Sequence, residues 1–223
     1  MEHFDKVIID LVRHPDFARG LFEINEQFYY LKQGIYIRDL LIKNLNNILE
    51  NNLAIAEYPR SYVRTNEGSA LNMGRRDIGL FDINEGRFDI KEPVYSIEIT
   101  FHFPLDLFRD DLNELGDRKH HRTDLDDIHA HWNRDICSNK TDCLISVICE
   151  RDWVESACVA DSANRHCAID LLQEHAGLRK KLASYIAGYD CDFSSALRTS
   201  IKSPTVVTAE ATTRYTFLFL FKK

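Results

Sequence analysis

The feature that most constrains the fold of this chain is an uninterrupted apolar run, DCLISVICE, at residues 142–150. A run of this length is typical of a strand buried on both faces, because a half-exposed strand alternates apolar and polar residues. Helical and strand patterns surround it. Their order is helix, hairpin and strand, helix, strand, helix, strand, which predicts an α/β or α+β fold with a central mixed β-sheet flanked by helices.

The helical patterns are amphipathic, and the strand patterns are rich in β-branched and aromatic residues. Residues 17–52 are predicted to be helical with a break near Gly34, because leucine and isoleucine recur at spacings of three and four. The segments DIGLFDI and RFDI flank NEG and predict a β-hairpin. The remaining predictions are a short strand at 53–59, helices at 106–136 and 153–189, and one or two strands at 205–221.

The segment VYSIEITFHF, at residues 94–103, predicts a strand with two different faces. Period-two alternation divides it into an apolar face and a polar-lined face. The apolar face holds Tyr95, Ile97, Ile99, Phe101 and Phe103, and the polar-lined face holds Val94, Ser96, Glu98, Thr100 and His102. Glu98 therefore does not interrupt the core face.

Length and composition predict a single domain. With 223 residues and 44% hydrophobic content, the chain has enough apolar material for one core. We expect the core to span about residues 20–150 and a C-terminal helix-plus-strand extension to span about 151–223. No apolar stretch approaches the roughly 20 residues that cross a bilayer, and the beginning MEHFDKVIID does not resemble a secretion signal. We therefore expect a cytoplasmic protein that does not bind membranes.

The net charge is −7, so any nucleic-acid binding requires a local basic patch. Residues 58–76 contain one candidate patch with a single acid, Glu67. We expect its arginines to contact substrate phosphates: Arg60, Arg64, Arg75 and Arg76. A solvent-exposed loop of the same composition is the alternative.

Two carboxylates lie on predicted strands close together in the chain. Asp77 begins one strand, and Glu98 lies in the middle of a strand soon after it. Adjacent strands are about 4.8 Å apart, so the two carboxylates converge on one cation if their strands pair. Oxygen ligands of this kind suit Mg²⁺ or Mn²⁺, and such an ion supports phosphodiester hydrolysis by lowering the pKa of a bound water. The alternative is that Asp77 caps a turn and Glu98 faces solvent.

The succession of a helix, RRDIGLFD, a turn, YSIEIT, a helix and the strand CLISVI resembles the core of the PD-(D/E)xK nucleases, the restriction-endonuclease-like superfamily. That core is a helix, a three-stranded meander, a crossover helix and a further strand, and the resemblance covers about residues 23–150. It implies that Asp77 and Glu98 are the two family acids and that both bind Mg²⁺ or Mn²⁺. It also implies a nucleic-acid substrate, with DNA favoured over RNA, and an acid on the first helix, for which Glu50 is the nearest candidate.

The chain departs from the family at Thr100, where the family usually has its lysine, and at Arg76, where it has proline. The lysine orients the attacking water and stabilises negative charge, and threonine supplies no charge. Lys91, before the same strand, and Lys119, on the following predicted helix, are candidate substitutes.

Two functions therefore stay open. The first is a divalent-metal-dependent nuclease with a catalytic site formed by Asp77, Glu98, Thr100 and Lys119. The second is a catalytically inactive, nuclease-like binding module that acts through protein–protein contacts as an inhibitor, an effector or a complex subunit.

Other segments carry secondary predictions. KHHRTDLDDIHAHWNRD, at residues 119–135, pairs histidine with aspartate at spacing three, which allows a transition-metal site, although a solvent-exposed helix face is favoured. Arg122 and His129 fit the loose motif of HEPN ribonucleases, whose helical bundles do not fit the predicted strands. The six cysteines form no CxxC pair, which disfavours a zinc ribbon. TRYTFLFLF, at residues 213–221, must be covered by the core or by a second copy of the chain, so a homodimer is a further expectation.

Overall fold

The computed structural model describes residues 3–28, 31, 33–59, 63–64, 70–71, 75–84, 87–88, 93–104, 141–153, 176–192, 196–208 and 211–223. These residues form four helices: α1 (His3–Arg13), α2 (Pro15–Phe28), α3 (Gly34–Ile48) and α4 (Ala176–Ala187). They also form eleven strands: β1 (Asn52–Pro59), β2 (Val63–Arg64), β3 (Ala70–Leu71), β4 (Arg75–Asn84), β5 (Arg87–Phe88), β6 (Tyr95–His102), β7 (Cys143–Trp153), β8 (Cys191–Asp192), β9 (Ala196–Lys202), β10 (Val206–Val207) and β11 (Ala211–Lys222).

One mixed sheet organises the molecule. Its strand order is β1-β4-β6-β7-β11-β9-β8, with β5 paired to β4 and β10 paired to β11. The pairing of β6 with β7 is parallel, and the other pairings in this sheet are antiparallel. The predicted mixed α/β or α+β class with a central mixed sheet is therefore confirmed.

The larger core lies between the sheet and the three N-terminal helices, on what we call the α1–α3 face. Alternate side chains of the central strands point into it, and the residues of α1 and α3 that meet them recur at helical spacing. Its fully buried members include Ile8, Ile37, Ile145, Tyr215 and Phe219. Gly20 lets α2 approach α3 closely, because a Cβ at that position would collide with the Leu40 side chain.

The opposite side of the sheet, which we call the α4 face, carries a second and smaller core. Leu182, Ile186 and Tyr189 of the α4 region pack there on Ile148 of β7 and Leu218 of β11. Glu98 and Thr100 belong to this face, because they alternate along β6 with Ile97 and Ile99, which point to the α1–α3 face. The predicted division of residues 94–103 into two faces is thus confirmed.

Several boundaries differ from the sequence prediction. The predicted helical region 17–52 has its predicted break near Gly34, but α2 begins earlier, at Pro15, and α3 ends earlier, at Ile48. α1 precedes them within a segment for which no helix was predicted. Trp153, predicted to begin a helix, is the last residue of β7. β9 (ALRTSIK) was not predicted either, because the polar Thr199 lies between Leu197 and Ile201 on the same face and weakens the alternation.

Some predictions concern residues outside the described part of the chain. The helix at 106–136, the histidine-rich segment 119–135, Lys91, Lys119 and Arg60 belong to this group. Among the helices that the structure does describe, none combines the length and the apolar character required to traverse a lipid bilayer.

Candidate functional site

The candidate site lies where β4 and β6 stop pairing. Their antiparallel ladder joins Ile78 to Ile97, Gly79 to Ser96 and Leu80 to Tyr95, and it goes no further. Extending this register by one residue places Asp77 directly opposite Glu98, on the α4 face. Beyond this point β4 continues beside β1, and β6 continues beside β7. We call the place where Asp77 and Glu98 face each other the fork.

Asp77 is held at the fork by a hydrogen bond to the backbone of the neighbouring strand. The Ile99 N–H donates to Asp77 Oδ2 at 2.9 Å. The carboxylate thus occupies the position at which the ladder would otherwise continue between backbone groups. This contact limits the freedom of the Asp77 side chain and leaves its second oxygen available for another ligand.

Glu98 faces Asp77 from the middle of β6 and is partly buried. Side chains directly opposite each other in an antiparallel pair have Cβ atoms about 4.5–5.5 Å apart, and like charges in that arrangement repel. A cation bound by both carboxylates would offset this repulsion. The register, extended by one residue beyond its last pair, is compatible with the predicted convergence of the two acids, which stays a prediction.

Thr100 and Ser146 form a hydroxyl pair next to the fork. Thr100 is two residues beyond Glu98 on the same face, and Ser146 is its register partner on β7. The Thr100 hydroxyl donates to Ser146 Oγ at 3.0 Å, and Ser146 is 1% exposed. The family resemblance assigns a lysine to the position of Thr100. In this chain the Thr100 hydroxyl is instead hydrogen-bonded to the Ser146 hydroxyl.

A third acid, Glu57, lies in the same register row but is engaged elsewhere. Ala56 pairs with Ile78 and Tyr58 with Arg76, so Glu57 lies opposite Asp77. Its φ of 49° is in the left-handed region, which a glutamate rarely adopts.

The Glu57 carboxylate accepts a hydrogen bond of 2.8 Å from Arg38 of α3, on the α1–α3 side. Burial by itself would lower the pKa of Arg38, but its hydrogen bonds to Glu57 and Asp39 outweigh burial and leave the pKa raised. The ion pair therefore turns Glu57 away from the two acids at the fork.

The prediction that Glu50 supplies an acid from the first helix is wrong. α3 ends at Ile48, and Glu50 is an exposed residue between this helix and β1. Because Asn52 pairs with Asp82 at the far end of β4, Glu50 lies about seven residues, or roughly 23 Å of extended chain, from the fork.

The predicted phosphate-binding arginines are located only in part. Arg75 and Arg76 directly precede Asp77 on β4, where their backbones pair with Pro59 and Tyr58. The backbone of Arg64 belongs to β2, which pairs with β3 in a separate two-stranded sheet. The proximity of Arg75 and Arg76 to the fork thus follows from the chain path, and the role of all the predicted arginines stays a prediction.

The residues at the fork suit a hard divalent cation. Mg²⁺ is commonly bound by one or two carboxylates, with water and substrate phosphates completing the coordination. Asp77 and Glu98 supply the two carboxylates, whereas no group of three or more His, Cys, Asp or Glu side chains within the described ranges is arranged to hold a metal ion. The fork therefore fits a cation that keeps water ligands, and not one that is enclosed by protein alone.

Comparison with known proteins adds no relative: no protein-family model, no curated protein and no solved structure matches this chain.

Sequence reasoning missed Ser146 and Glu57. Ser146 is the one hydroxyl residue in the run CLISVI, and the run predicts burial on both faces, so a buried hydroxyl needing a partner was a readable signal. Nothing in the local sequence pairs it with Thr100, because the two residues are 46 positions apart.

Proposed function

We propose that this protein is a divalent-metal-dependent nuclease that hydrolyses phosphodiester bonds with Asp77 and Glu98 as its metal ligands. The observation that carries the proposal is the β4–β6 register, which ends at Ile78 and Ile97 and, when extended by one residue, puts Asp77 opposite Glu98 on one face of the sheet. The hydrogen bond from Ile99 N–H to Asp77 supports it, since it orients one ligand in advance.

The order of elements around the fork supports a restriction-endonuclease-like core as part of the same proposal. A helix (α3) precedes three antiparallel neighbours (β1, β4 and β6), and β7 then pairs with β6 in parallel. A parallel pair requires a crossover connection of a dozen or more residues, and residues 103–142 are long enough to supply it.

Each residue of the site would have a separate role in phosphodiester hydrolysis. Asp77 and Glu98 would hold the cation. When bound, the cation would supply a water of lowered pKa and charge for the developing oxyanion. Thr100 offers a hydroxyl, and no positive charge, on the next position of the same face. The predicted role of Lys119 as the missing cation stays part of the proposal.

Cleavage assays on matched variants test this function. Plasmid, linear duplex, single-stranded DNA and RNA are incubated with the full chain in Mg²⁺ or Mn²⁺. We expect Asp77→Asn and Glu98→Gln to reduce cleavage by about 100-fold or more, the scale of losing one preorganised electrostatic contact. Asp82→Asn, a change of the same type at an exposed position of the same strand, should leave cleavage unchanged. If wild type and Asp77→Asn behave alike on every substrate, the nuclease proposal fails.

A second function is favoured by the hydroxyl pair. Because Thr100 and Ser146 satisfy each other where the family has a charged lysine, the fold also suits an inactive module that binds a protein partner. Calorimetry distinguishes the two functions. Absence of Mn²⁺ binding to the wild type, together with a stoichiometric protein complex, supports the binding module. A Mn²⁺ affinity that disappears in Glu98→Gln contradicts it.

A further inference from the structure

Positive charge is concentrated at the C-terminal end of this acidic chain. Residues 176–223 contain eight lysines and arginines and three aspartates and glutamates, a net charge of +5, although the whole chain carries −7. An asymmetry of this kind between parts of a chain is typical of a local surface that attracts a polyanion. The described structure shows where on the fold these charges lie.

Three of the basic residues share the α4 face at its C-terminal strands. In the β11–β9 ladder, Arg198 pairs with Leu220 and Lys202 pairs with Thr216. Arg198 and Lys202 point to the α4 face, because the neighbouring Leu197 and Ile201 point to the α1–α3 face. Lys222 follows Phe221, a residue of the α1–α3 core, and therefore also points to the α4 face. Lys222 lies diagonally across the β11–β9 ladder from Arg198, because its register partner is Ala196.

Helix α4 adds a fourth cation at the same place. Leu182 and Ile186 direct one side of the helix into the sheet. Tyr185 lies on the flank of that buried side, and Lys181, one turn earlier, is an exposed residue of the same flank. The Arg198 guanidinium lies 5.4 Å from the centre of the Tyr189 ring, which identifies this flank as the one facing β9.

A buried hydroxyl marks the junction between helix and strand. Tyr185 Oη is shielded from solvent and has no hydrogen-bond partner within the part of the chain that the structure describes. Burial raises the pKa of Tyr185, and the charge of Arg198 opposes that effect. Because it is shielded, the hydroxyl belongs to the packing beneath this flank and does not itself contact a ligand.

We propose that Lys181, Arg198, Lys202 and Lys222, which together we call the C-terminal basic surface, bind the sugar–phosphate backbone of a nucleic acid. Phosphate contacts of this type are made by lysine and arginine side chains and carry no sequence preference. The surface is distinct from the arginines of residues 58–76 and lies on the same sheet face as the fork.

The register relates the two places. Glu98 pairs with Leu144, Leu144 with Leu220 and Leu220 with Arg198, so Glu98 and Arg198 belong to one row that crosses three strand spacings. At about 4.8 Å per strand this is roughly 14 Å, which corresponds to about four nucleotides at 3.4 Å each. This part of the inference rests on the proposed function, and it favours a polymeric substrate over a mononucleotide.

A nucleic acid fits this surface better than a lipid membrane does. Membrane-surface helices combine basic residues with exposed aromatic or aliphatic side chains. The exposed large apolar side chains of the described residues are Phe22, Leu31, Ile35, Ile48, Val94 and Val207, and none of them belongs to α4 or β9. Leu182 and Ile186 of α4 instead face the sheet.

Binding measured without metal tests the inference separately from cleavage. Fluorescence anisotropy of labelled 20-nucleotide single-stranded DNA, duplex DNA and RNA is followed in EDTA at 50 and 200 mM NaCl, with the full chain. The variant is Lys181→Ser with Lys202→Ser. The control is Lys43→Ser with Lys180→Ser, which removes the same charge from α3 and from the solvent side of α4. All four lysines are exposed, so both proteins should fold, and circular dichroism checks this.

We expect the first double variant to weaken binding by about tenfold at 50 mM NaCl and to reduce the salt slope by about two, with little change in the control. Asp77→Asn should bind as the wild type does. Retained binding together with equal cleavage by the wild type and Asp77→Asn would therefore overturn only the nuclease proposal. Three results would overturn the basic surface: no binding of any oligonucleotide, equal weakening in both double variants, or tighter binding to vesicles of phosphatidylcholine with 30% phosphatidylserine than to any oligonucleotide.

Discussion

At the scale of single residues, the hydrogen bond between Thr100 and Ser146 beside the fork should contribute measurably to the free energy of unfolding. Thr100 is partly exposed, whereas its acceptor Ser146 is buried beneath the α4 face. Leaving a buried hydroxyl without its hydrogen-bond donor destabilises the fold by about 1–3 kcal/mol. An exposed hydroxyl that loses its partner can form a hydrogen bond to water instead. The two partners should therefore respond unequally to removal of their hydroxyls.

We expect Thr100→Val to lower the free energy of unfolding by about 1–2 kcal/mol, because it leaves the buried Ser146 hydroxyl without this donor. Ser146→Ala should cost less, about 0.5–1 kcal/mol, because water replaces the acceptor for Thr100. In the double variant the losses should fall short of their sum by about 1 kcal/mol. Urea unfolding of the four proteins measures this cycle, and losses that add within about 0.3–0.5 kcal/mol would show that the pair is not coupled.

At the scale of elements, α1 is fastened to the sheet by apolar and polar contacts together. Ile8 and Val12 are buried in the larger core, and the Tyr95 hydroxyl donates a short hydrogen bond to the buried carboxylate of Asp5. Burial, and the negative charge of Asp5 among other groups, raises the pKa of Tyr95 far above its ordinary value, so the hydroxyl stays protonated. α1 therefore acts as an integral layer of the core.

Comparison of two isoleucines tests this role of α1. Ile8→Ala should lower the free energy of unfolding by about 2–5 kcal/mol, because Ile8 is fully buried in the core. Ile48→Ala is the matched control, since Ile48 belongs to α3 and is 52% exposed, and it should change stability by less than about 0.5 kcal/mol. Equal losses in thermal or urea unfolding would contradict the placement of α1.

A second link between elements is polar and buried. Asn25 of α2 accepts hydrogen bonds at its Oδ1 atom from Arg151 of β7 at 3.2 Å and from Thr213 of β11 at 3.0 Å. Gln33, before α3, accepts a hydrogen bond from Tyr215 of β11. Buried polar groups require hydrogen-bond partners, so this cluster fixes the position of α2 and α3 relative to β7 and β11. Apolar packing alone would allow the helices to shift along the sheet.

At the scale of the whole molecule, the core contains ionisable groups that are kept neutral. Burial raises the pKa of the Cys149 thiol from 9.0 to about 11, although the nearby Arg151 opposes the effect. Burial also raises the pKa of Cys143, Tyr95 and Tyr215. In the unfolded chain these groups ionise near their ordinary values. Between those values and the folded ones the unfolded state binds fewer protons, so stability falls as the pH rises.

We therefore expect the free energy of unfolding to be insensitive to these groups below about pH 9 and to fall above it. Cys149 alone accounts for about 2–3 kcal/mol between pH 9 and 11, because one pKa unit corresponds to 1.36 kcal/mol. Urea unfolding at pH 8, 9, 10 and 11 should show that Cys149→Ala loses less stability over this interval than the wild type. Comparing the change with pH, and not the absolute stability, removes the effect of the cavity that alanine leaves. Identical pH profiles would mean that Cys149 does not titrate as described.

Local patterns determined much of the secondary structure. The two faces of residues 94–103, the hairpin of β4 with β5 and the buried strand β7 all follow from alternation and turn residues, which act over a few positions. A clear helical spacing was also present in α1, at Phe4, Val7, Ile8, Leu11 and Val12, although no helix was predicted there, whereas the alternation in β9 is weak. The sequence also identified Asp77 and Glu98 as acids on two predicted strands, and it predicted that they converge if those strands pair.

Only the tertiary structure decided which of these residues meet. Asp77 faces Glu98 because β4 and β6 share one register, Ser146 meets Thr100 because β6 and β7 are parallel neighbours, and Arg198 joins the row of Glu98 through β7 and β11. It also decided that Glu50 lies beyond its helix and that Glu57 turns to Arg38. Strand order and register depend on contacts between residues tens to hundreds of positions apart, and a slip of one residue would move every side chain to the other face. Alternation along a single strand carries no information about which neighbour that strand will have.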